Sequence, residues 1–416
     1  MYFKDVLPNG VRVLTEEMDN AYSVTVGIWV ATGSNYEDPA LAGVSHVLEH
    51  MLFKGTKKRT AKQLAEAMEE VGGQMNAFTS KEHTCYYVRC LEEHFELAVD
   101  LLADMFLEST LDEVEFAREK NVVLEEISMY EDSPDDLVTE LFSGTLWPKH
   151  QYGLPVIGTT ASVEGLSWQE LKKYYKTVYA PAHTVVSVAG KVEHQRVLAV
   201  IGSYLGSFAG GWDKPVLFLP ESSAGKSYIY KDIEQVHLCL GLPGVPAEDD
   251  DFYVMNVLTN VLGGGVSSRL FQEAREKRGL TYSIYSYHGA YCLGGYLMSY
   301  ASTSPAKVPE VLEVMGKEMK DIATKGITTA ELNRSKEQLK GSLLLSMENT
   351  SNVMIKLGKS ETNFDHVITI EEMVEKIKQV TLEDVERLAK TVLLPEKLVL
   401  AQVGPKEYTA DLLSIW

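Results

Sequence analysis

Apolar residues follow the same pattern in both halves of the chain, and each copy predicts strands followed by a helix. In the first half, a hairpin around Asn9-Gly10 and the apolar run 23–30 precede residues 46–52, whose apolar spacing is helical. In the second half, residues 236–242 precede residues 256–262 in the same way. The chain is therefore predicted to be a tandem repeat of two α/β units.

The remaining periodicity is also mixed. Helical patterns lie at roughly 60–71, 93–107, 112–131 and 310–323, and strand-like runs lie at 84–89 and 184–189. We expect an α+β fold of two homologous α/β repeat domains, each a mainly antiparallel sheet covered by helices.

Glycine, proline and small polar residues mark the boundary between the repeats. They interrupt the apolar periodicity in Ser207-Phe-Ala-Gly-Gly-Trp-Asp-Lys-Pro215 and in Glu221-Ser-Ser-Ala-Gly225. The predicted division is a first repeat at 1–210, a linker at 211–225 and a second repeat at 226–416.

Composition and charge narrow the location and the partners. The 416 residues are 45% hydrophobic and 24% charged, with a formal net charge of −20, which disfavours nucleic acid and anionic lipid as partners. The first residues lack the basic start and long apolar stretch of a signal peptide, and no window is apolar enough to predict a membrane span. Four cysteines without a CxxC pair favour a reducing cytoplasm. We expect a cytoplasmic protein that binds neither nucleic acid nor membrane.

A metal motif lies on the first predicted repeat helix. His46 and His50 are four residues apart on one face, so both imidazoles can reach a single cation, and Glu49 lies beside them. The order His-x-x-Glu-His is the inverzincin motif of zinc peptidases. The second repeat keeps the apolar spacing but has Asn, Thr and Asn in these places, so we expect it to be metal-free.

Two imidazoles leave a catalytic zinc site short of one protein ligand. The predicted helix at 112–131 offers Glu119 and Glu126, which lie seven apart on one face, whereas Glu125 points about 100° away. Geometry alone leaves both Glu119 and Glu126 open as the third ligand.

His46-Val-Leu-Glu-His50, with 75 residues (126 − 50 − 1) between it and Glu126, resembles the pitrilysin, insulinase and mitochondrial processing peptidase family. The similarity is greatest to bacterial half-length members that resemble processing peptidases. Further matching segments are Leu7-Pro-Asn-Gly-Val-Arg-Val, Gly72-Gly-Gln-Met-Asn-Ala-Phe-Thr79, Tyr152-Gly-Leu-Pro-Val-Ile-Gly158 and Leu262-Gly-Gly-Gly-Val-Ser-Ser-Arg-Leu-Phe271.

The resemblance implies a zinc metalloendopeptidase with one Zn²⁺ per chain. Glu126 matches the third ligand, and Glu119 matches a glutamate that supports the site from close by. Zinc would lower the pKa of a bound water, and Glu49 would take its proton as general base and return it to the leaving amine.

The resemblance also implies substrate-binding residues. Asn76, Ala77, Phe78 and Thr79 match a strand to which substrate is added as a further strand, although an ordinary interior strand fits the same pattern. Arg275 and Tyr282 match an arginine and a tyrosine that approach the substrate, able to hydrogen-bond its carbonyl. Arg278 and Tyr285 have the same spacing, so this register rests on the family, and a surface salt bridge remains the alternative.

Family members enclose their substrates in a chamber of four repeats, and this chain supplies two. The resemblance therefore implies a homodimer that acts on short or unfolded peptides. One alternative is a non-catalytic binding or scaffold subunit of the same fold, although such chains usually lose their zinc ligands. Another is a hydrolase that needs a different, inactive partner chain.

Overall fold

A computed structural model describes residues 2–409 and 411–416 and divides into two compact units. Unit 1 contains the chain up to Ile127 together with Pro155–Leu217 and Leu345–Ile368. Unit 2 contains Ser128–Leu154, Phe218–Leu344 and Thr369–Trp416. Neither unit is contiguous in the sequence.

Each unit is built on one sheet. The strands are β1 Tyr2–Val6, β2 Arg12–Glu17, β3 Ser23–Val30, β4 Gln74–Thr79, β5 Thr84–Leu91, β6 Thr184–Gly190, β7 Gly225–Tyr230, β8 Val236–Gly244, β9 Ser283–Ala290, β10 Gly295–Thr303 and β11 Val399–Gly404. The strand order is β1-β2-β6-β3-β5-β4 in unit 1 and β7-β11-β8-β10-β9 in unit 2. Only β2 with β6 and β7 with β11 pair in parallel among the described strands. The five-strand order of unit 2 thus repeats the order β2-β6-β3-β5-β4 of unit 1.

Helices cover both sheets. They are α1 Val44–Leu52, α2 Ala61–Glu69, α3 Phe95–Glu108, α4 Glu113–Asp132, α5 Pro134–Leu146, α6 Thr160–Gly165, α7 Trp168–Val178, α8 His194–Leu205, α9 Phe252–Gly263, α10 Val308–Lys325, α11 Thr329–Ser346, α12 Thr350–Phe364, α13 Ile370–Gln379 and α14 Leu382–Val392. A π-helical segment, Phe271–Lys277, follows α9. The predicted α+β class, with two mainly antiparallel sheets covered by helices, is confirmed.

In unit 1, both faces of the sheet are buried. Strands β3 and β6 are buried almost throughout because α1, α3 and α8 pack over one face and α12 over the other. On the α12 side, Trp29 packs with Val353 and Met354. A Cβ on Gly358 would lie 2.1 Å from the Trp29 ring, so the close approach of α12 requires glycine there.

In unit 2, the corresponding face of the sheet is covered by α5. Phe142 and Leu146 of α5 are fully buried with Tyr296 and Met298 of β10. Each unit is therefore completed by a helix from the other half of the sequence, α12 in unit 1 and α5 in unit 2.

The division at 1–210, 211–225 and 226–416 places α5 with the first repeat and α12 with the second, and it stays a prediction about the repeats. Across residues 2–409 and 411–416, no helix combines the length and the apolar character that a membrane span needs.

Candidate metal centre

Helix α1 carries the His-x-x-Glu-His motif, and a buried carboxylate holds its first turn. Glu37, only 5% exposed, accepts hydrogen bonds from the backbone N–H of Gly43 at 2.7 Å and of Ser45 at 2.8 Å. These are amides at a helix N-terminus, which have no partner within the helix. Burial raises the pKa of Glu37 to about 7, against its hydrogen bonds to Ser45 and Gly43 and the charge of Lys81, which lower it. No local motif in the sequence marks Glu37, and it was not predicted.

Two glycines let the chain approach α1 closely. Gly43 has φ +93°, and a Cβ there would lie 2.5 Å from the carbonyl oxygen of Ile157. Gly158 has φ +83°, and a Cβ there would lie 2.4 Å from the carbonyl oxygen of Ala42. This contact gives a structural reason for the glycine that ends the family-like segment 152–158.

The two sides of α1 differ. Val44, Val47, Leu48, Met51 and Leu52 are fully buried in the core of unit 1. The three motif side chains are only partly buried. The apolar spacing therefore fixes which side of the helix carries the chemistry.

His46, His50 and Glu126 come together at this site. The Glu126 Oε2 atom lies 3.8 Å from Nε2 of His46 and 3.6 Å from Nε2 of His50, and the two imidazole rings are 4.7 Å apart. One ligand atom from each residue lies within 4.8 Å of the others. Ligand atoms bound to one tetrahedral zinc are about 3.4 Å apart, since each bond is about 2.0–2.2 Å long. The donor set and its spacing therefore fit zinc.

The protonation of His46 suits a metal ligand. Burial, helped by the neighbouring His50, lowers the pKa of His46 to about 4, so the imidazole is neutral at pH 7. Its Nδ1 is buried and has no hydrogen-bond partner among the described residues, while Nε2 faces Glu126. A neutral imidazole nitrogen is the form that binds a cation.

Glu119 lies behind His50 rather than among the potential ligand atoms. Its Oε2 is 3.3 Å from Nδ1 of His50, and its Oε1 is 2.8 Å from Nζ of Lys54. The contact with Nδ1 leaves Nε2 of His50 turned towards Glu126. The two glutamates that the sequence left open thus occupy different places: Glu126 beside both Nε2 atoms and Glu119 beside Nδ1.

Glu49 faces the end of β4. Its Oε2 accepts a hydrogen bond from the hydroxyl of Thr79 at 2.5 Å. Burial raises the pKa of Glu49, as does the charge of Glu126, whereas Thr79 and His50 lower it. A raised pKa makes the carboxyl group a better proton acceptor, which suits a role in proton transfer.

The predicted substrate strand is β4, at the edge of the sheet. Its register pairs Asn76 with Tyr87 and Thr79 with Thr84 of β5, and no other described strand pairs with it. The Oδ1 atom of Asn76 accepts a hydrogen bond from the backbone N–H of Ala77 at 2.8 Å. An edge strand offers backbone groups to a further strand, so the interior-strand alternative is contradicted by the sheet order.

Arg275 and Tyr282 belong to unit 2. The Arg275 guanidinium lies 4.6 Å from the ring centroid of Phe271 and 4.7 Å from that of Tyr282, and Tyr282 is 76% exposed. Tyr285, from the alternative register, stacks on Tyr300 at 5.0 Å. Arg275 and Tyr282 are thus in direct contact with each other.

Two protein-family models match this chain, one after the other along the sequence. Residues 12–160 match the model of the insulinase family, peptidase family M16, and residues 165–339 match the model described as the peptidase M16 inactive domain.

Similar proteins occur in several bacteria. A protein of Bacillus subtilis named as an uncharacterized zinc protease is 43% identical over 95% of this chain and 97% of its own length. One of Streptomyces coelicolor, also named as an uncharacterized zinc protease, is 39% identical over 97% of this chain and 89% of its own length.

Solved structures share the fold. A peptidase M16 inactive domain from Pseudomonas fluorescens has a TM-score of 0.91 at 22% identity and covers 99% of both chains. A protease from Helicobacter pylori has the same TM-score and identity and covers 97% of this chain and 99% of its own. The family expected from His46-Val-Leu-Glu-His50 is confirmed: the chain belongs to the insulinase family, peptidase family M16.

Proposed function

We propose that this chain is a zinc endopeptidase that hydrolyses short or unfolded polypeptides, with one zinc held by His46, His50 and Glu126. The observation that carries the proposal is the convergence of two imidazoles and one carboxylate beside a second carboxylate, Glu49. Relatives named as zinc proteases support the choice of metal. The side chains of His50 and Glu126 are 23% and 33% exposed, so a peptide can approach the centre from solvent.

Zinc, when bound, supplies a Lewis acid that polarises a peptide carbonyl and makes water easier to deprotonate. Glu49 accepts the proton of the attacking water and returns it to the leaving amine. Thr79 keeps the Glu49 carboxylate in one orientation through its hydroxyl. Glu119 sets the tautomer of His50 by accepting a hydrogen bond from the N–H at Nδ1.

Substrate binding is assigned to the edge of β4. A peptide added there would pair its backbone with the segment from Asn76 to Thr79. Because Thr79 bonds Glu49, the scissile bond would lie where this strand ends. Recognition through backbone groups tolerates many sequences but requires an extended peptide.

The homodimer is part of the same proposal. Arg275 and Tyr282 would serve the active site of the partner copy, and mixing two variants tests this. Glu49→Gln and Arg275→Ala are each expected to be weakly active alone, and mixing them restores up to about a quarter of the wild-type activity if sites are completed between chains. Failure to recover activity after subunit exchange, or an active monomer in sedimentation, contradicts it. The cytoplasmic location stays a prediction.

The central experiment compares Glu49→Gln with wild type on an unfolded peptide, with and without a chelator and added zinc. We expect Glu49→Gln to retain one zinc per chain, because Glu49 is not a ligand, while turnover falls about 10²–10⁴-fold. Glu125→Gln, which changes an exposed carboxylate one residue before Glu126, is the matched control and should behave as wild type. Unchanged turnover in Glu49→Gln contradicts the assigned role. A zinc-loaded wild type that cleaves no peptide points to the scaffold alternative.

A further inference from the structure

Lys54 contacts the carboxylate that orients His50. It lies two residues after the end of α1 and four residues after His50, and its Nζ lies 2.8 Å from Oε1 of Glu119. The other oxygen of Glu119 is the one that contacts His50 Nδ1, at 3.3 Å. Lys54 therefore contacts Glu119, and Glu119 in turn contacts His50, which is a potential metal ligand.

The backbone beside Lys54 is fixed by the segment that precedes α4. The carbonyl of Gly55 accepts the N–H of Thr110 at 3.1 Å, and the N–H of Lys57 bonds the carbonyl of Glu108 at 3.0 Å. Gly55 itself has φ +113°, a conformation that favours glycine. Lys54 is thus held at the start of a constrained turn, and its side chain is 31% exposed.

Glu119 needs a compensating charge. Its side chain is 7% exposed, and a buried carboxylate without a cation is costly. Without Lys54, the carboxylate would gain by turning towards water, and His50 would lose the acceptor that sets its orientation. Ligand histidines held by a carboxylate lose about 10–100-fold in metal affinity when that carboxylate is removed.

We infer that Lys54 is a positioning residue of the metal centre, acting through Glu119 on His50. The inference rests on the proposed zinc function. It makes a prediction opposite to that of simple charge repulsion. Removing a cation near a zinc site would tighten zinc binding by Coulomb's law alone, whereas loss of positioning weakens it.

The test measures zinc affinity by chelator competition on the full chain. We expect Lys54→Met to bind zinc about 10–100-fold more weakly and Lys54→Arg to remain close to wild type. Lys57→Met is the matched control, because Lys57 lies in the same turn but pairs with Glu108 at 2.6 Å and is 73% exposed. It should leave the affinity unchanged. Equal or tighter zinc binding in Lys54→Met overturns the inference.

A double-mutant cycle tests the route through Glu119. In a Glu119→Gln background, Lys54→Met should cause little further loss, because the residue through which Lys54 acts is already changed. A full additional loss in that background overturns the proposed route. Thermal unfolding of each metal-free variant shows whether it is folded, and Lys54→Gln replaces Lys54→Met if the latter is not.

Zinc affinity also separates this inference from the proposed function. Wild type that binds zinc but cleaves no peptide contradicts the peptidase and leaves the Lys54 result valid. An active peptidase whose zinc affinity is indifferent to Lys54→Met contradicts only the inference. Wild type without zinc affinity contradicts both.

Discussion

Helices α1 and α9 occupy corresponding places in the two repeats, but their residues differ at all three polar positions of the His-x-x-Glu-His motif. Both have a buried apolar side, packed in unit 1 for α1 and in unit 2 for α9. His46 and Glu49 of α1 correspond to Asn256 and Thr259 of α9. The Thr259 hydroxyl donates to the Met255 carbonyl at 2.8 Å, so it is satisfied on its own helix.

Helices α4 and α11, which carry the other corresponding positions, differ in the same way. Ser133 and Asn349, the residues before α5 and α12, are 216 positions apart (349 − 133), and this offset pairs Glu119 with Ser335 and Glu126 with Ser342. Ser335 is buried, and its hydroxyl donates to the backbone of α9 at 3.3 Å. The second repeat keeps the packing pattern while every residue assigned to the metal centre differs, so packing and chemistry occupy separable positions in this fold.

Replacing the two histidines of α1 by the asparagines of α9 should have the largest effect. The variant His46→Asn with His50→Asn removes two of three ligand side chains, so we expect zinc binding to be lost and peptide hydrolysis to fall to background. Metal analysis after dialysis, together with a peptide assay, checks both. Zinc retained at one per chain would place the metal elsewhere.

The reciprocal change is its control. Asn256→His with Asn260→His places two imidazoles on α9, but Ser342 offers no carboxylate in the place of Glu126. We therefore expect the zinc content to stay at one per chain. A second tightly bound zinc would show that the α9 helix lacks nothing but its histidines.

Replacing Glu119 by the residue of the second repeat has a smaller effect. Glu119→Ser leaves Nδ1 of His50 without its carboxylate, so zinc affinity should fall about 10–100-fold while the stoichiometry at saturating zinc stays at one. Titration against a chelator measures this. An unchanged affinity would mean that Glu119 does not orient His50.

The last comparison concerns how the two helices begin, and it bears on stability rather than on zinc binding. Glu37 caps α1 from the interior, whereas Asp251 at the start of α9 makes no capping bond with its side chain and pairs with Arg387. Because burial raises the pKa of Glu37 from 4.5 to about 7, the folded chain holds this proton more tightly than the unfolded chain. Its contribution to stability is therefore present below pH 4.5 and is lost as pH rises to about 7.

Glu37→Gln removes this proton linkage. The free energy of unfolding of wild type minus that of the variant should therefore decrease by on the order of 3 kcal/mol between pH 4.5 and pH 8. Denaturant unfolding of the metal-free proteins at several pH values measures the difference. A difference independent of pH would show that Glu37 has the same pKa in the folded and unfolded chains.

The sequence predicted the motif helix well because its apolar spacing and its His-x-x-Glu-His order are local features. It could not choose between Glu119 and Glu126, since both lie on one helical face and only packing separates them. Glu37 and Lys54 escaped prediction for a related reason: each lies in a segment beside α1 whose path depends on contacts with distant parts of the chain. Apolar periodicity likewise shows that α5 and α12 have a buried side, but not which sheet each covers.

Helix α5 from the first half of the sequence belongs to unit 2, and α12 from the second half belongs to unit 1. This arrangement bears on how the second repeat is inherited. A gene shortened after residue 210 would encode every residue assigned to the metal centre, but it would lack α12, which covers Trp29 and one face of the first sheet. Its product would expose an apolar surface and be prone to aggregate. Selection for a folded first repeat therefore retains the second repeat as well, whatever the latter contributes to catalysis.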